Sequence, residues 1–549
     1  MSDSKTRPSR AFVRTSVMLA LGTAMAARAM PIDTGNGDLA VNFDNTFKYS
    51  AAWRVKSADP ALLGNANADD GDRNFGKGLI SNRVDLLSEV DAVYAKRYGV
   101  RLSGAAWYDS VYNRQNDNPG FAGGAFPNQA SVPYNEFTDA TRRLHGRKAE
   151  LLDAFVFGKF DIGDKGASVR LGRHSLLWGE SLFLGGNAIA GTMSPVDVIK
   201  LISVPNTQFK EAIRPVPQVS GSVQLTPSLS VGAFYQFGWA AHRIPAVGSY
   251  FSSIDIVGDG AEQLLLPAQA PAQRLADQKA RDRGQGGLQL RMQADETDYG
   301  LYLVRFHSKT PQAVTVLGPA APLPITGYRL AYQEDITAFG ASASHTFGSL
   351  NLAIEASIRH NQDLASTGAV DASAFGGPAT DNRDDPAYAV GKTAHVNLSA
   401  IWTMPRTPLF AEGILMAELG WNRALSVTKN PGALDTNATR DAWALRMQVE
   451  PIYRQVVGGL DLGVPIGIGY SPRGSRSMAL GPAAWTPNDG GDITVGLNGT
   501  YLDVWRFSLA CTHYFGRGDA LVAPAGAPYS YAQVWKDRDF VAFSLRRTF

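Results

Sequence analysis

Apolar and polar residues alternate along much of the chain, in segments of about ten residues. Over 219–225 every second residue is apolar or glycine, the chain turns at Thr226-Pro227-Ser228, and the alternation resumes over 229–237. A period of two is that of a β-strand with two different faces, and two such runs around a short turn predict a hairpin. The same alternation recurs at 350–358, 443–450 and 460–468, and further strand candidates are spread from 81 to 549.

The connections between these segments are of two kinds. Short turns, such as Asp295-Glu296-Thr297 and Phe347-Gly348-Ser349, contrast with long segments rich in Gly, Pro, Asn and Asp. Short turns at one end and long loops at the other are typical of outer-membrane barrels, whereas a soluble β-sandwich does not need so many strands. The pattern therefore predicts an all-β fold, a transmembrane antiparallel β-barrel of about 14–18 strands. The long segments lie at 113–140, 244–285, 308–328, 361–393 and 471–490.

Composition narrows the classes of protein. Of 549 residues, 44% are hydrophobic and only 19% are charged, which excludes a disordered chain. The net charge of +2 gives no electrostatic reason to expect a nucleic-acid partner. The single cysteine, Cys511, rules out an internal disulfide or a cysteine metal cluster.

The N-terminus has the features of an export signal. Lys5, Arg7, Arg10 and Arg14 form a positive region, 17–27 is a short apolar region, and Ala27-Arg28-Ala29 offers a small-x-small cleavage pattern. We predict a signal peptide at 1–29, cleaved after Ala29, although a mature start at Met30 or Pro31 fits the residues equally well. The mature chain, 30–549, would form the barrel.

The C-terminal strand predicts an assembly signal. The segment 540–549 alternates apolar residues on one face and ends on an aromatic residue, a pattern resembling the signal by which outer-membrane barrels are recognised for assembly. Arg547 departs from that pattern, but a charge near the membrane interface costs only about 0–1 kcal/mol. The predicted signal residues are Phe543, Leu545 and Phe549.

The segment near 175–217 is the least strand-like part of the chain. Ser194 suits a helix N-cap, Pro195 the first helical position and Asp197 the helix N-terminus, while Pro205 would end a helix over 198–203. Irregular backbone cannot face lipid, so we expect a short helical insert that narrows the lumen. The alternative is a helix in an extracellular loop.

Charged residues of this insert and of inward strand positions are the candidate lumen and gating residues. A ladder of charges could select solutes, but such residues also pair with one another to fill a lumen. The candidates are Trp178, Glu180, Asp197, Lys200, Lys210, Glu211, Arg214, Arg173, Arg359 and Arg446.

No catalytic, metal or cofactor site is predicted. The eight histidines are scattered, and neither a His-Glu-x-x-His nor a Gly-x-Ser-x-Gly motif occurs. The oxygen-rich run 65–74 invites a calcium interpretation, but its glycine lies one place late for an EF-hand loop and Gly76 stands where the bidentate Glu belongs. We therefore interpret this run as a structural turn. The acidic loop 381–385 has the same ambiguity.

Several long motifs are spread over essentially the whole mature chain. They are Asp69–Phe75, Gly78–Arg83, Ser103–Asp109, Leu144–Ala154, Gly172–Ser181, Pro195–Lys200 and Pro245–Tyr250. These motifs resemble those of the domain of unknown function 1302 family of proteobacterial exported proteins. The resemblance implies an outer-membrane barrel encoded beside an outer-membrane lipoprotein-like family and large inner-membrane transporters that export hydrophobic compounds. It brings no established substrate and no catalytic residues.

The functional prediction combines these observations. We expect an outer-membrane channel of a Gram-negative bacterium that passes a small hydrophobic or amphipathic compound. The expected partners are outer-membrane lipid, the barrel assembly machinery, a periplasmic or lipoprotein partner and an inner-membrane hydrophobe transporter. The alternative is a structural or adhesive barrel whose long loops bind surface partners.

Overall fold

A computed structural model describes residues 30–120, 127–319, 325–482, 485–522 and 528–549. The predicted signal peptide at 1–29 lies outside these residues. The main sheet has 20 segments, of which one is the short strand Met30–Ile32 and two are halves of a single strand, so the barrel wall has 18 strands. This is the upper end of the number predicted from the alternation.

The wall strands are numbered β1 to β18 in chain order, and each pairs antiparallel with its neighbours. The barrel is closed because β18 pairs with β1, from Arg54 against Phe540 to Thr46 against Thr548. The strands are β1 Leu39–Arg54, β2 Gly78–Tyr94, β3 Tyr98–Asp109, β4 Arg147–Ile162, β5 Lys165–His174, β6 Val216–Thr226, β7 Leu229–Gln236, β8 Gln285–Ala294, β9 Thr297–Phe306, β10 Ile336–Phe347, β11 Leu350–Asp363, β12 Val390–Met404, β13 Glu412–Lys429, β14 Asp441–Val457, β15 Leu460–Gly463 with Ile466–Ser471, β16 Gly490–Tyr501, β17 Trp505–Phe515 and β18 Phe540–Thr548.

The two ends of the barrel differ as the sequence predicts. Turns of a few residues, such as 163–164 and 227–228, close one end, which also carries the start of β1 and the end of β18. Long segments close the other end, including 55–77, 110–146, 237–284 and 516–539. In outer-membrane barrels the short turns are periplasmic and the long loops extracellular, and we use these names for the two ends.

The two faces of the wall have opposite chemistry. Large apolar side chains stand exposed on the outside of the strands, as with Leu301 at 55% and Leu288 at 55% exposure. Their neighbours point inward and are polar, for example Gln289 and Ser342. An apolar outer belt on a closed barrel is the surface of a protein embedded in a membrane. Within the described residues, no helix is long and apolar enough to cross a membrane.

The loops contain short helices and a small second sheet. The α-helices are Asp70–Arg73, Asp139–Thr141, Ala190–Met193 and Val198–Ser203, with a π-helical turn at Arg142–Gly146. The 3₁₀ turns are Phe209–Ala212, Ser373–Phe375 and Pro431–Ala433. The second sheet joins Gln263–Leu264, Ala272–Arg274, Gln312–Leu317, Ile325–Ala331 and Val370–Asp371.

Buried side chains from the long segments and the adjoining strand ends, most of them aromatic, form a cluster at the extracellular end, and we call this cluster the roof. Phe75 lies edge-on to Tyr250, with ring centroids 5.5 Å apart, and Tyr250 packs on Phe251 at 4.9 Å. Below the aromatic rings, Arg538 donates both to Asp72 and to the backbone carbonyl of Tyr250. The roof consists of Phe75, Ile80, Val111, Tyr112, Phe137, Tyr250, Phe251, Tyr514 and Phe540.

The final strand carries the predicted assembly residues. Phe543 packs near Tyr49 of β1, with ring centroids 6.5 Å apart, and the backbone of Phe549 exchanges hydrogen bonds of 2.8 and 2.9 Å with Asn45. The guanidinium of Arg547 lies 5.1 Å from the ring of Trp505. This contact lies at the periplasmic end, where a membrane interface tolerates charge. The role of Phe543, Leu545 and Phe549 in assembly stays a prediction.

A charged side chain should destabilise the barrel much more on the outward face of the wall than on the inward face. We expect Leu509→Arg, at an exposed apolar position in the middle of β17, to lower the free energy of unfolding in phospholipid vesicles by about 2–4 kcal/mol. Ser508→Arg, one residue away and facing the lumen, is the control and should cost much less. Guanidinium unfolding of both variants measures the difference. Equal losses would contradict the assignment of the two faces.

Candidate lumen constriction and cavity

The segment between β5 and β6, residues 175–215, folds into the barrel, and we call it the lumen loop. Its hydrogen-bond partners include inward side chains in the middle of β11, β12 and β13. An extracellular loop could not reach these positions, so the structure places the segment in the lumen.

A carboxylate of β13 holds the first part of the lumen loop. Oε2 of Glu418 accepts the backbone N–H groups of Leu182, Phe183 and Leu184 at 3.1, 2.5 and 2.8 Å. Its other oxygen accepts from Nδ2 of Asn397 at 2.7 Å. Glu418 is fully buried, and donors to an ionised carboxylate give stronger hydrogen bonds than neutral pairs. This side chain therefore satisfies three backbone donors that have no strand to pair with.

A guanidinium of β11 holds the next turn. Nη2 of Arg359 donates to the carbonyl oxygens of Gly186, Asn187 and Ala188, at 3.1, 2.9 and 2.9 Å. On the same strand, Glu355 accepts from the backbone N–H of Glu180 at 2.7 Å and from that of Ile189. Backbone donors and acceptors of the loop thus each meet a charge of the opposite sign.

The side chain of Asn187 bonds to two wall strands, β12 and β13. Its Nδ2 donates to Oδ1 of Asn397 at 2.8 Å and to the carbonyls of Val396 and Trp421, both at 3.1 Å. Its Oδ1 lies 2.9 Å from Nδ1 of His395 and accepts from Nδ2 of Asn422 at 3.1 Å. The side chain is fully buried, and both ends of its amide have hydrogen-bond partners on the wall.

The second part of the lumen loop faces the opposite wall. The charges of Lys200 and Lys48 of β1 are close enough to interact electrostatically, as are those of Glu211 and Arg546 of β18. Nζ of Lys200 also donates to the carbonyl of Glu211 at 2.7 Å. The loop thus extends from the β11–β13 wall towards β1 and β18 and narrows the lumen.

The helix of the lumen loop, Val198–Ser203, lies where the sequence predicts it, but its N-cap differs from the predicted one. Asp197, not Ser194, is the N-cap, and its Oδ1 accepts the backbone N–H of Lys200 at 3.1 Å. Val196 pairs with Ile213 in an isolated β-bridge, so Pro195 lies outside the helix. Asp197 has a second role, since its other oxygen is bound by Arg243 at 2.8 Å. Arg243 also pairs with Glu150 at the start of β4, which fixes the helix to the extracellular loops.

A cavity of about 2410 Å³ lies in the barrel beside the lumen loop. It extends from the periplasmic turns, where Pro227 and Ser349 line it, to the roof residues Tyr112, Tyr250 and Phe251. The wall strands β1, β2, β17 and β18 contribute charged side chains together with apolar ones such as Ile80 and Phe507, and β12 and β13 contribute Ile401, Ile414 and Met416. The cavity is therefore mixed in character.

The predicted lumen residues fall into two groups. Six of them line the cavity, namely Glu180, Asp197, Lys200, Lys210, Glu211 and Arg214. The other four do not line it. Trp178 is buried against Phe234 at 5.0 Å, Arg359 is buried as a loop anchor, Arg173 donates to the carbonyl of Leu152, and Arg446 pairs with Asp492 at 2.9 Å. Whether any of them gates the lumen stays a prediction.

Sequence reasoning missed two of the main anchors, Glu418 and Asn187. A signal for Glu418 does exist, because it is an acidic residue within the apolar alternation of 413–421. Asn187 lies in a Gly-rich turn, where its composition indicates only a loop.

The model of the family described as "Protein of unknown function (DUF1302)" matches residues 9–549. The chain belongs to the DUF1302 family. A sequence search of curated proteins found no match.

Solved structures similar to this DUF1302 protein include outer-membrane proteins. OccAB1 of Acinetobacter baumannii has 10% identity and a TM-score of 0.41, covering 93% of this chain and 96% of that one. OccK2 (OpdF) of Pseudomonas aeruginosa has 10% identity and a TM-score of 0.39, covering 93% and 97%. The outer membrane channel DcaP of A. baumannii has 10% identity and a TM-score of 0.36, covering 94% and 98%. Because these scores are below 0.5, the barrel assignment rests on the strand pairing described above.

The anchoring of the lumen loop predicts a local change in dynamics. We expect Glu418→Gln to speed amide hydrogen exchange at 182–184, since a neutral side chain accepts these three bonds less strongly. Loss of charge-assisted bonds should also lower stability by about 1–3 kcal/mol. Hydrogen–deuterium exchange with mass spectrometry measures the first effect.

The control is Glu450→Gln on β14. Glu450 also lines the cavity but accepts from Asn498 at 3.0 Å, on the barrel wall. This variant should leave exchange at 182–184 unchanged. If the amides of 182–184 exchanged at the wild-type rate in Glu418→Gln, Glu418 would not be the anchor of this segment.

Proposed function

We propose that this protein is an outer-membrane channel that passes a small hydrophobic or amphipathic compound through the lumen. The observation that carries the proposal is the cavity of about 2410 Å³ between the lumen loop and the wall. That volume is larger than the roughly 300–1,000 Å³ typical of small-molecule pockets, so a solute would have room to move as well as to bind.

The lining of the cavity supports an amphipathic solute. Ile401, Ile414 and Met416 offer an apolar surface on β12 and β13, and Ile199, Val204 and Pro205 of the lumen loop add to it. Basic side chains lie elsewhere on the lining, among them Lys48, Lys200, Arg506 and Arg546, together with the acidic Asp85 and Glu211. A molecule with an apolar body and a polar or anionic end would find both kinds of surface.

The two ends of the cavity suggest how a solute enters. The lining reaches the periplasmic turns at Pro227, Ser349 and Asp503, and roof residues line the cavity at its extracellular side. In our proposal the compound is exchanged at the periplasmic end, where a periplasmic or lipoprotein partner working with an inner-membrane transporter would meet the barrel. Opening of the roof would then complete the passage.

The proposal predicts that apolar lining residues control hydrophobe movement. In a deletion strain, the intact gene should restore uptake or release of a labelled amphipathic compound. Changing Ile401→Asn with Ile414→Asn should reduce that flux about three- to tenfold, since loss of apolar contact costs about 1 kcal/mol or more at the cavity.

Leu409→Asn is the matched control, because Leu409 is 78% exposed in the turn between β12 and β13 and does not line the cavity. It should support wild-type flux. The proposal fails if the intact gene gives no more flux than the deletion strain. Wild-type flux through the double variant would show that the apolar surface is not part of the solute pathway.

A further inference from the structure

Three acidic residues from two extracellular loops meet under the surface of the roof region. Asp69 and Asp70 belong to 55–77 and Asp255 to 237–284, and one side-chain oxygen of each lies within 4.8 Å of those of the others. All three side chains are almost completely buried, with exposures of 0, 1 and 0%. The close approach of the two loops requires Gly71, since a Cβ there would lie 2.5 Å from the carbonyl of Ser252.

A residue of a third loop also contacts the cluster. The backbone N–H of Asn128, in 110–146, donates to Oδ2 of Asp70 at 3.4 Å. Its Nδ2 donates to Oδ1 of Asn67 at 2.7 Å and to the carbonyl of Gln263 at 3.0 Å. The other atom of the amide, Oδ1, is buried and has no hydrogen-bond donor among the described residues.

Four buried oxygens of these residues have no hydrogen-bond donor among the described residues. They are Oδ1 of Asp69, Asp70, Asp255 and Asn128. Each residue uses its remaining polar atoms within the protein: Oδ2 of Asp69 binds Arg73 at 2.7 Å, and Oδ2 of Asp255 accepts the backbone N–H of Asp70 at 3.1 Å. A buried oxygen without a donor is costly, and four together indicate a missing positive partner.

The charge of the cluster leads to the same conclusion. In the described part of the chain, Arg73 forms an ion pair with Asp69, but no ion pair reaches Asp70 or Asp255. Three carboxylates held within 4.8 Å of one another repel each other unless a positive group joins them.

We propose that Asp69, Asp70, Asp255 and Asn128 bind one calcium ion at the extracellular end of the barrel. Calcium takes carboxylate and amide oxygens at about 2.3–2.6 Å, so two ligands of one ion are separated by at most about 4.6–5.2 Å. The 4.8 Å limit on the acidic oxygens is compatible with this spacing. Water completes the six to eight ligands of the ion.

The position of the site gives the ion a structural effect. Asp70 begins the short helix that carries Asp72, and Phe75 of the roof follows directly after it. Asp72 in turn pairs with Arg54 at 3.0 Å and with Arg538 at 2.9 Å. An ion that joins 55–77, 110–146 and 237–284 therefore fastens three loops of the extracellular cover to one another. Because its ligands come from three loops, the site has no linear motif, which explains the mismatch of 65–74 with an EF-hand.

The test measures calcium binding to the full mature chain in detergent after chelation with EDTA. Isothermal titration with CaCl₂ at pH 7.4 should show one site, and calcium should raise the midpoint of thermal unfolding by several degrees. MgCl₂ at the same concentration should bind at least tenfold more weakly, because the smaller ion demands stricter octahedral geometry. No calcium binding and no thermal shift would overturn the proposal, as would equal binding of magnesium.

Variants separate this site from other acidic groups. Asp255→Asn should weaken calcium binding at least tenfold, while Asp384→Asn with Asp385→Asn, in an exposed acidic loop, should leave it unchanged. Should Asp255→Asn not fold, Asn128→Ala tests the same ion through a neutral ligand, and it should also weaken binding. Wild-type calcium affinity in both Asp255→Asn and Asn128→Ala would overturn the assignment. These readouts measure binding and not flux, so they are independent of the proposed channel function.

Discussion

An irregular backbone inside a membrane barrel must find hydrogen-bond partners away from lipid, and the lumen loop depends on how this constraint is met. Its N–H groups at 182–184 converge on Glu418, and its carbonyls at 186–188 converge on Arg359. A buried charge is expensive unless several polar groups surround it, so the loop and the two side chains stabilise each other. The cavity exists beside this contact because the loop is held to one wall and leaves the other wall free.

Buried ion pairs also stabilise the loops at the extracellular end. Asp72 and Arg538 are each about 1% exposed and form a two-oxygen pair, while Arg54 adds a second guanidinium to Asp72. Aromatic rings from four loops and the adjoining strand ends then pack around this network. A cover built from separate loops needs such cross-links, because each loop alone buries little apolar surface. The inferred calcium site would be one more link between them.

Much of the fold could be predicted from the sequence, because barrel strands carry a local signal. The alternation in 219–237 and 350–358 depends only on which face of a strand meets lipid, and exposed apolar side chains recur in most of the wall strands. The strand count was less certain because long loops contain strand-like pieces such as Gln312–Leu317, which belong to the second sheet. The lumen helix lies at the predicted 198–203, but the predicted N-cap is wrong. Ser194 and Asp197 both suit an N-cap, and the bridge from Val196 to Ile213 decides between them.

The site was harder to predict because its parts are distant in sequence. Glu180 and Lys200 could be selected as lumen charges from the insert alone, but Arg359 could not be separated from a solute-facing charge without knowing that the loop covers it. Likewise, 65–74 alone offers too few ligands for a calcium ion. Asp255 and Asn128 approach this segment only in the folded chain. Long-range contacts of this kind leave no period in the sequence.

The central claim is that solutes pass beside the lumen loop, through the cavity lined by Lys200. The most direct measurement is flux of a labelled amphipathic compound through a Lys200→Cys variant in a Cys511→Ser background, before and after modification by a bulky methanethiosulfonate reagent. The account predicts that modification abolishes most of the flux and that a reductant restores it. Full modification with unchanged flux would contradict it.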